Sequence, residues 1–463
     1  MRPSAVTPVP LAQGSLPVLG HGLSLLRDPL GFVSALPAHG DLVRIRVGSR
    51  EVVVVCHPAL TRHVLLDDRV YDKGGPMFDR LREVAGNGLA TCPYALHRRQ
   101  RRLCQPAFAP GRLPGYGAVI AARARAAVGS WHDGQIIDVN REMMALTLRI
   151  TVEAMFATGF APEAVERVLD DTVTYFRGVL RRMITPAFAD RIPTPANRRY
   201  HRARARLRRA VGDIIVARSA GGADGADGAD HGDLLSSLLS AVDPDSCDGH
   251  PVLSEAELTD EVLTFLLAGT ETTSSTLAWA LHLLSGDPET DDELHAEAGR
   301  VWAGSSVAFS CLPSLETATR VVCETLRLYP PAWLFTRVVT ADTELGGVPL
   351  TAGTTVAVSP YLIHRRPDLY KNADAFDPGR WCAAPPDRTS YLPFGAGARK
   401  CIGDRLGMAA SVLILAAVAA RWRLVPLGDE PVRPAVKASL GPRNLWMRVV
   451  AREPADSGAV RQP

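Results

Sequence analysis

A single cysteine stands inside the stretch FGAGARKCIG, residues 394–403, directly before a long apolar segment. Cys401 follows Arg399 by two residues, and the glycines of the stretch let the backbone pass close to a flat, bulky group. A helix N-terminus and a neighbouring positive charge both stabilise a thiolate. These residue types predict a cysteine that acts as an ionised ligand.

A thiolate on a tight loop suits a soft metal ion. Iron–sulfur clusters and structural zinc need several protein ligands, and none of the eight scattered cysteines forms a CxxC pair. Among metal centres, a single protein thiolate fits haem iron best. A cysteine that only fills the core is the simpler alternative, but it would need neither the glycines nor the arginine.

Three further segments carry polar side chains at helical spacing. ETLR places Glu324 and Arg327 on one helix face, as in many solvated ion pairs. AGTETT, residues 268–273, lies in the middle of a long helical pattern, where a glycine costs about 1 kcal/mol relative to alanine. Its composition predicts a local distortion of that helix. LHRRQRRLCQPAF, residues 96–108, predicts a basic helix face.

Composition narrows the class of protein. The 463 residues are 46% hydrophobic and 22% charged, as in soluble globular proteins, and a net charge of +3 gives no argument for nucleic-acid binding. The proline-rich N-terminus has no apolar run long enough for a signal peptide or membrane anchor. The scattered cysteines favour a reducing compartment, so we expect a cytoplasmic protein.

The elements that must position these residues are mostly helical, and the fold class expected is mainly α with small β-sheets. We expect a single domain over 1–463, with a proline-rich lead over 1–20 and a mobile Gly/Ala/Asp loop over 219–233. The patterns predict a hairpin over 41–56, helices over 113–160, 163–185, 198–219, 254–285, 314–329 and 402–421, strands and turns over 332–393, and a final hairpin near 434–450. Ser254 and Glu257 form a capping-box pattern at the start of the long central helix.

The cysteine segment resembles the haem-binding signature of the cytochrome P-450 monooxygenases. That signature is Phe, two residues, Gly, one residue, Arg or His, one residue, Cys, one residue and Gly, matched here by Phe394, Gly397, Arg399, Cys401 and Gly403. The resemblance implies the cytochrome P-450 fold, with haem b between the central helix and the C-terminal cysteine-loop helix. It implies Cys401 as the axial iron ligand, Arg399 as a propionate partner, and Phe394 and Gly403 as further haem-binding residues.

The resemblance also implies roles for the other motifs. Glu324 and Arg327, with Arg380 of FDPGRW, would form a structural triad that supports the cysteine loop. Glu271 and Thr272 match the acid–alcohol pair of the family, in which the alcohol hydrogen-bonds dioxygen and the acid relays protons. The remaining propionate partners would be His97, Arg101 and Arg337, and the basic surface for an acidic redox partner would comprise Arg98, Arg99 and Arg102.

The residues implied to line a substrate pocket are large, apolar and uncharged, which suits a compact hydrocarbon. They are Met77, Phe78, Phe176, Phe265, Ala268, Trp333, Leu334, Phe335 and Leu440. The segments RDPLGFVSALPAHGDLVRIRVG, HRRQRRLCQPAF, FRGVLRRMITP and TPANRRYHRA are similar to bacterial sesquiterpene-oxidising members, of the pentalenene oxygenase and albaflavenone synthase types. That similarity implies successive allylic oxidation of a cyclic sesquiterpene such as pentalenene. It also implies a place in secondary metabolism, in antibiotic biosynthesis.

The partners implied are O2, a ferredoxin or flavodoxin, and an NAD(P)H-dependent reductase; a monomer is expected. Some members of the terpene group carry acid-rich motifs for a second, terpene-cyclising activity. Here Asp170 and Asp171 lack the third acid of a DDxxD motif, so we interpret them as a solvated helix edge.

Three alternatives stay open at this point. The same chemistry could act on a polyketide macrolactone or a fatty acid. A haem-thiolate sensor or binding protein without turnover would not need Glu271 and Thr272. A cysteine-based enzyme without haem would be colourless.

Overall fold

The structure is a computed structural model, and it describes residues 9–156, 162–184, 190–221, 232–245, 251–302, 309–382, 387, 389–428, 430–436 and 439–453. The chain forms two compact units. The first comprises 1–98, 327–375 and 384–401, and the second 99–326, 376–383 and 402–463. The expectation of one domain over 1–463 stays a prediction. The loop predicted over 219–233 falls largely outside the described residues, which omit 222–231.

The helices of the described residues, in chain order, are α1 (Gly22–Arg27), α2 (Pro29–Ala35), α3 (Pro58–Leu66), α4 (Pro76–Ala85), α5 (Tyr94–Cys104), α6 (Leu113–Gly129), α7 (Val139–Phe156), α8 (Pro162–Ile184), α9 (Pro195–Gly221), α10 (Leu234–Leu239), α11 (Glu255–Ser285), α12 (Pro288–Trp302), α13 (Glu316–Leu328), α14 (Pro360–Ile363) and α15 (Asp404–Ala419). The strands are β1 (Leu42–Val47), β2 (Arg50–Val55), β3 (Tyr71–Asp72), β4 (Ile136–Asp138), β5 (Phe335–Val339), β6 (Thr343–Leu345), β7 (Val348–Leu350), β8 (Thr355–Val358), β9 (Trp422–Pro426), β10 (Pro434–Val436), β11 (Leu440–Pro442) and β12 (Trp446–Ala451).

The first unit is built around a five-stranded sheet in the order β1-β2-β8-β5-β3. β1 and β2 form the predicted antiparallel hairpin, whose turn contains Gly48 at φ +61°, a left-handed conformation that glycine tolerates. β2 pairs with β8 in parallel, and β8 pairs with β5 antiparallel. Valines of these strands, together with Leu65 of α3 and Tyr71 of β3, form the apolar core of the unit. Packing of β-branched side chains on one sheet face therefore fixes strands that precede the cysteine segment in the chain.

The second unit is mostly helical, and its longest helix is α11. The capping box predicted for Ser254 and Glu257 is confirmed, and the helix ends at Ser285 as expected. Most of the side chains of α11 after Ser274 are buried, as are those of α15 from Ala409 onward. The apolar segment that follows Cys401 in sequence is therefore the buried helix α15, whose side chains from Ala409 onward are covered on all sides.

Two sequence predictions for the second unit need correction. The helix predicted over 113–160 is two helices, α6 and α7, separated by the short strand β4. The hairpin predicted near 434–450 covers only β10 and β11; β12 pairs instead with β9 and β4. The first error arises because a strand of three residues is too short to give a period in the sequence. The second arises because β12 pairs with strands that do not neighbour it in the predicted hairpin. Among the described residues, no helix combines the length and hydrophobicity that crossing a membrane requires.

Candidate functional site

The cysteine loop of the first unit is fixed by backbone contacts. The Cys401 backbone N–H donates to the Phe394 carbonyl oxygen at 2.9 Å, and the Cys401 side chain is exposed. Gly397 has φ +71°, and a Cβ placed there would lie 2.4 Å from the Leu65 carbonyl oxygen. Only glycine therefore allows the loop to approach the end of α3 this closely. α15 begins at Asp404 rather than at 402, so Cys401 precedes the helix instead of opening it.

Arg399 is buried and binds three groups of its own unit. Its guanidinium donates to the Asp68 carboxylate at 3.2 Å, to the Asp72 carboxylate at 2.7 Å and to the Cys92 carbonyl oxygen at 2.7 Å. These bonds satisfy the charge of Arg399 within the protein. The two aspartates were not singled out by the sequence, because nothing local distinguishes them from solvated acids. The propionate role expected of Arg399 stays a prediction.

Arg337 and Lys73 carry positive charge beside this ion pair. Arg337 is 4% exposed, and its guanidinium donates to the carbonyl oxygen of the adjacent Thr336 at 2.9 Å. Burial and the Arg399 guanidinium lower the pKa of Arg337 to about 10. Burial, with the Arg337 and Arg399 guanidinium groups, lowers the pKa of Lys73 to about 7. Sequence analysis missed Lys73, which lies outside every motif.

The charges of this basic cluster, defined as Lys73, Arg337 and Arg399, exceed those of the carboxylates that face it. Three cationic groups meet the two aspartates Asp68 and Asp72, and both lowered pKa values report mutual repulsion in addition to burial. An unbalanced buried positive charge is costly unless an anion completes it. Three cations against two carboxylates leave one positive charge in excess, which a bound anionic group would balance.

The other two residues expected at the propionates lie on α5. His97 is 2% exposed, and its Nδ1 atom lies 3.9 Å from the Asp68 carboxylate in the first unit. Arg101 belongs to the second unit, where its Nε–H donates to Gln105 Oε1 at 3.2 Å. Their roles at a propionate stay predictions.

The basic surface expected of Arg98, Arg99 and Arg102 stays a prediction, and two of its three members form ion pairs. Arg99 pairs with the Glu257 carboxylate at 2.6 Å, and Arg102 pairs with both oxygens of Asp243 at 2.9 and 3.0 Å. These ion pairs neutralise both guanidinium groups within the second unit. Their partners are more than 100 residues away in the chain, so the sequence pattern alone could not reveal them.

Glu324 of α13 is completely buried and is held by donors from the segment 377–381 of the same unit. The Arg380 Nε–H donates to its Oε1 atom at 3.1 Å, as does the Asp377 backbone N–H at 3.0 Å. The Trp381 indole N–H donates to Oε2 at 3.0 Å. A buried carboxylate with this many donors is a structural anchor, because the donors replace the water it has lost. Trp381 is a third donor that the sequence analysis did not assign.

Arg327, the third residue expected in the triad, is also completely buried. Its guanidinium donates to the carbonyl oxygens of His364 at 2.9 Å, Ala373 at 2.6 Å and Ala375 at 3.0 Å, and it stacks on the Tyr370 ring at 5.0 Å. All of these partners belong to the first unit. Arg327 therefore ties together the segment that follows α14, and the triad itself stays a prediction.

The middle of α11 contains an open strip, whereas most side chains that follow the strip on the helix are buried. Ala268 is exposed, and Phe265, Gly269 and Thr272 are half-buried. The Thr272 hydroxyl donates to the Ala268 carbonyl oxygen at 2.6 Å. The distortion expected here produces no break, since α11 is α-helical from end to end; such hydroxyl bonds bend a helix only slightly.

Glu271, next to this strip, is 5% exposed, and its carboxylate accepts from a serine hydroxyl. The Ser439 hydroxyl donates to Glu271 Oε1 at 2.9 Å, and the Ser439 and Ser275 hydroxyl oxygens are 3.1 Å apart. One turn further along α11, the Trp279 indole N–H donates to the Leu440 carbonyl oxygen at 3.1 Å. The hairpin β10–β11 is therefore fastened to α11 at two successive residues. The sequence analysis did not identify Ser275.

The residues expected at a substrate pocket differ in their surroundings. Leu440, on β11, is fully buried, and Phe176 of α8 packs against Tyr175 at 5.3 Å between ring centroids. Phe265 packs against Phe108 at 5.2 Å in the second unit. In the first unit, Met77 is half-buried, Phe78 is buried, Trp333 and Leu334 pack on one apolar cluster, and Phe335 packs on another. Their pocket roles stay predictions.

The interpretation of Asp170 and Asp171 as a solvated helix edge is wrong for Asp171. Asp171 is buried and forms a bidentate ion pair with Arg206 of α9, whereas Asp170 is exposed and lies 3.6 Å from Arg141. The carboxylate of Asp171 therefore joins α8 to α9.

Comparison with known proteins identifies the family. The sequence pattern of the Cytochrome P-450 family matches residues 10–444. The chain is a cytochrome P-450. It is 44% identical over 420 residues to cyclooctat-9-en-7-ol 5-monooxygenase of Streptomyces melanosporofaciens, covering 90% of this chain and 89% of the relative. It is 42% identical over 450 residues to pentalenene oxygenase of Streptomyces avermitilis, covering 96% and 97%, and 44% identical over 434 residues to cyclooctatin synthase of Streptomyces melanosporofaciens, covering 93% of each.

Membership of the cytochrome P-450 family confirms three predictions: the mainly helical fold with small sheets, the haem cofactor, and the class of enzyme, a monooxygenase. The described residues fit a haem on two counts. The basic cluster carries one positive charge more than its two aspartates, which a carboxylate of a bound group would balance, and Cys401 is an exposed thiol on a loop held by its own backbone hydrogen bond.

Proposed function

We propose that this cytochrome P-450 oxidises a cyclic terpene, of sesquiterpene or diterpene size, by inserting one atom of O2 into a C–H bond. The observation that carries the proposal is the similarity, over at least 90% of this chain, to three relatives, two of which are named for the oxidation of pentalenene or of cyclooctat-9-en-7-ol. The apolar character of the residues expected at the pocket supports it, because a hydrocarbon gains most from apolar burial.

Cys401 would hold the iron of the haem, and Arg337 and Lys73, with His97 and Arg101, would receive the propionates. A haem held by thiolate supplies cleavage of the O–O bond and transfer of oxygen to carbon. For each turnover, one substrate molecule, one O2, two electrons and two protons would yield one hydroxylated product and one water. The protein must therefore orient the terpene, admit two protons in order and exclude other water.

Thr272 and Glu271 would manage the protons. The Thr272 hydroxyl, which donates to the Ala268 carbonyl oxygen, would turn away from that carbonyl to donate a hydrogen bond to dioxygen beside the open strip. Glu271 is buried one residue before it, where a carboxyl group can hold a proton away from bulk solvent. Electrons would come from a ferredoxin or flavodoxin and an NAD(P)H-dependent reductase, and we propose a cytoplasmic monomer.

Incubation with a substrate panel tests the terpene assignment. The panel would contain pentalenene, cyclooctat-9-en-7-ol, a macrolactone and a fatty acid, each with a surrogate ferredoxin and reductase, and products would be identified by mass spectrometry. We expect an oxidised terpene, and a spin-state shift of the haem when that terpene binds. Turnover of only the macrolactone or the fatty acid would overturn the proposal.

Variants at three positions test the assigned roles. In Cys401→Ala, the reduced carbonyl complex should lose the shifted Soret band that a thiolate gives. In Thr272→Ala, we expect product per NAD(P)H to fall about tenfold, the scale of one lost hydrogen bond to a charged group. In Arg337→Met, haem should dissociate faster, whereas Arg99→Met, which removes an arginine already paired with Glu257, should retain haem normally. Equal haem loss in both arginine variants would contradict the propionate assignment.

A further inference from the structure

The hairpin β10–β11 delivers a hydroxyl to the buried acid of α11. Ser439 is 168 residues from Glu271 in the chain, yet its Oγ lies 2.9 Å from Glu271 Oε1, and both side chains are buried. The Ser439 hydroxyl oxygen is also 3.1 Å from that of Ser275, one turn along α11. Three polar groups, Ser275, Ser439 and Glu271, thus form a continuous hydrogen-bonded chain inside the second unit.

The backbone around Ser439 is built for this close approach. The Leu440 carbonyl oxygen accepts from the Trp279 indole, which itself is completely buried. At Gly441, an added Cβ would lie 3.3 Å from Ser275 Oγ, tighter than ordinary van der Waals contact. Packing, a backbone hydrogen bond and a glycine therefore hold the Ser439 hydroxyl against the carboxylate, so the contact does not depend on a mobile surface side chain.

We propose that Ser439 is a positioning residue for proton delivery: its hydroxyl fixes the rotamer of the Glu271 carboxyl group so that the acid can supply protons beside Thr272. The inference rests on the proposed function, because it assumes that Glu271 relays protons. Ser439 itself transfers no electrons and forms no covalent bond.

A matched serine distinguishes this role from simple packing. Ser274 is buried on α11 and its hydroxyl donates to the Glu271 backbone carbonyl at 3.0 Å, not to the carboxylate. Ser274→Ala removes the same atom from the same neighbourhood and should leave proton delivery unchanged. Ser439→Thr keeps a hydroxyl and should restore most of what Ser439→Ala loses.

The test uses the haem-loaded enzyme with two measurements. The first is product and hydrogen peroxide formed per NAD(P)H, with pentalenene and with cyclooctat-9-en-7-ol. In Ser439→Ala we expect product per NAD(P)H to fall about threefold to tenfold and peroxide to rise, since one hydrogen bond orients the acid. Haem content and the terpene concentration that gives half the spin-state shift should stay within about twofold of the parent.

The second measurement needs no substrate. The infrared stretching band of carbon monoxide bound to the reduced enzyme responds to nearby proton donors, and it should shift or split in Ser439→Ala but not in Ser274→Ala. In the double variant Ser439→Ala with Glu271→Gln, neither measurement should change beyond Glu271→Gln alone, because the serine acts through the acid.

The outcomes separate the inference from the proposed function. If Glu271→Gln alters either measurement and Ser439→Ala alters neither, the role of Ser439 is overturned while the acid keeps its own. If Glu271→Gln alters neither, the proton role of the acid falls, and the inference falls with it. Additive effects in the double variant would also overturn the inference, since Ser439 would then act independently.

Discussion

Two buried glutamates of the second unit are stabilised in opposite ways. Glu324 receives a guanidinium, an indole N–H and a backbone N–H, whereas Glu271 accepts a hydrogen bond from a serine hydroxyl. A charged donor fixes a carboxylate in its ionised form, but a neutral hydroxyl can accompany either protonation state. The donors around Glu324 make it an anchor of the fold, and the proton-relay role of Glu271 stays a proposal.

Glu324→Ala should give the largest effect, because it leaves the Arg380 guanidinium and two N–H groups without their acceptor. Removing one partner of a buried ion pair typically costs about 3–5 kcal/mol, so we expect a much lower unfolding free energy and haem-poor protein. Denaturant unfolding and the ratio of Soret to protein absorbance measure this. Glu324→Gln should lower the unfolding free energy less, because its amide oxygen can still accept from Asp377 and Arg380. Unchanged unfolding would contradict the anchor role.

Glu271→Gln should act on the reaction and not on the fold. The amide oxygen can still accept from Ser439, so the unfolding free energy should change by less than about 1 kcal/mol. Product formation should fall about 100-fold, the low end of what a positioned acid contributes. Turnover of the terpene found in the panel measures it, with Glu271→Asp as the control that keeps a carboxyl group. If Glu271→Gln lowered the unfolding free energy as much as Glu324→Ala, the two acids would not differ in role and the prediction would be wrong.

Trp381→Phe should produce a smaller change, confined to stability. The indole N–H that donates to Glu324 Oε2 is lost while the ring remains, which should cost about 1–2 kcal/mol of unfolding free energy. Product per NAD(P)H should equal that of the parent enzyme in the same assay. A loss of coupling without a loss of stability would place Trp381 in the reaction instead.

The smallest effects should come from hydroxyls next to each acid that bond to their own helix. The Thr325 hydroxyl donates to the Val321 carbonyl oxygen at 2.8 Å, and that of Ser274 to the Glu271 carbonyl oxygen. Thr325→Val and Ser274→Ala should each change the unfolding free energy by under about 1 kcal/mol, with turnover within about twofold. A tenfold loss of turnover in either variant would show that these hydroxyls, and not only the two acids, contribute to the reaction.

Local patterns in the sequence predicted what depends on neighbours in the chain. The capping box at Ser254 and the loop around Cys401 are read from four to ten consecutive residues, and the geometry of Gly397 accords with the latter. Contacts between distant segments were missed or misassigned. The pairing of Arg99 with Glu257 spans 158 residues and that of Ser439 with Glu271 spans 168, so only the folded backbone brings the partners together.

The sequence predicted which residues belong to the site, but not which of their charges are paired. Arg337 and Arg399 belong to recognisable positions, yet the sequence does not tell that Arg399 is already neutralised by Asp68 and Asp72. Lys73 lies outside any pattern, and its lowered pKa is a consequence of tertiary neighbours. The net charge of the cluster depends on neighbours that are distant in the chain, so only the folded structure reveals it.

The tight contact at Gly397 sets a limit on how this enzyme can be diversified. A side chain there would collide with the backbone of α3, and the left-handed φ would add strain. Laboratory evolution toward new terpenes should therefore accumulate substitutions in the apolar segments around Phe176 and Phe335 and leave position 397 invariant. Deep mutational scanning would display that position as a column with a single tolerated amino acid.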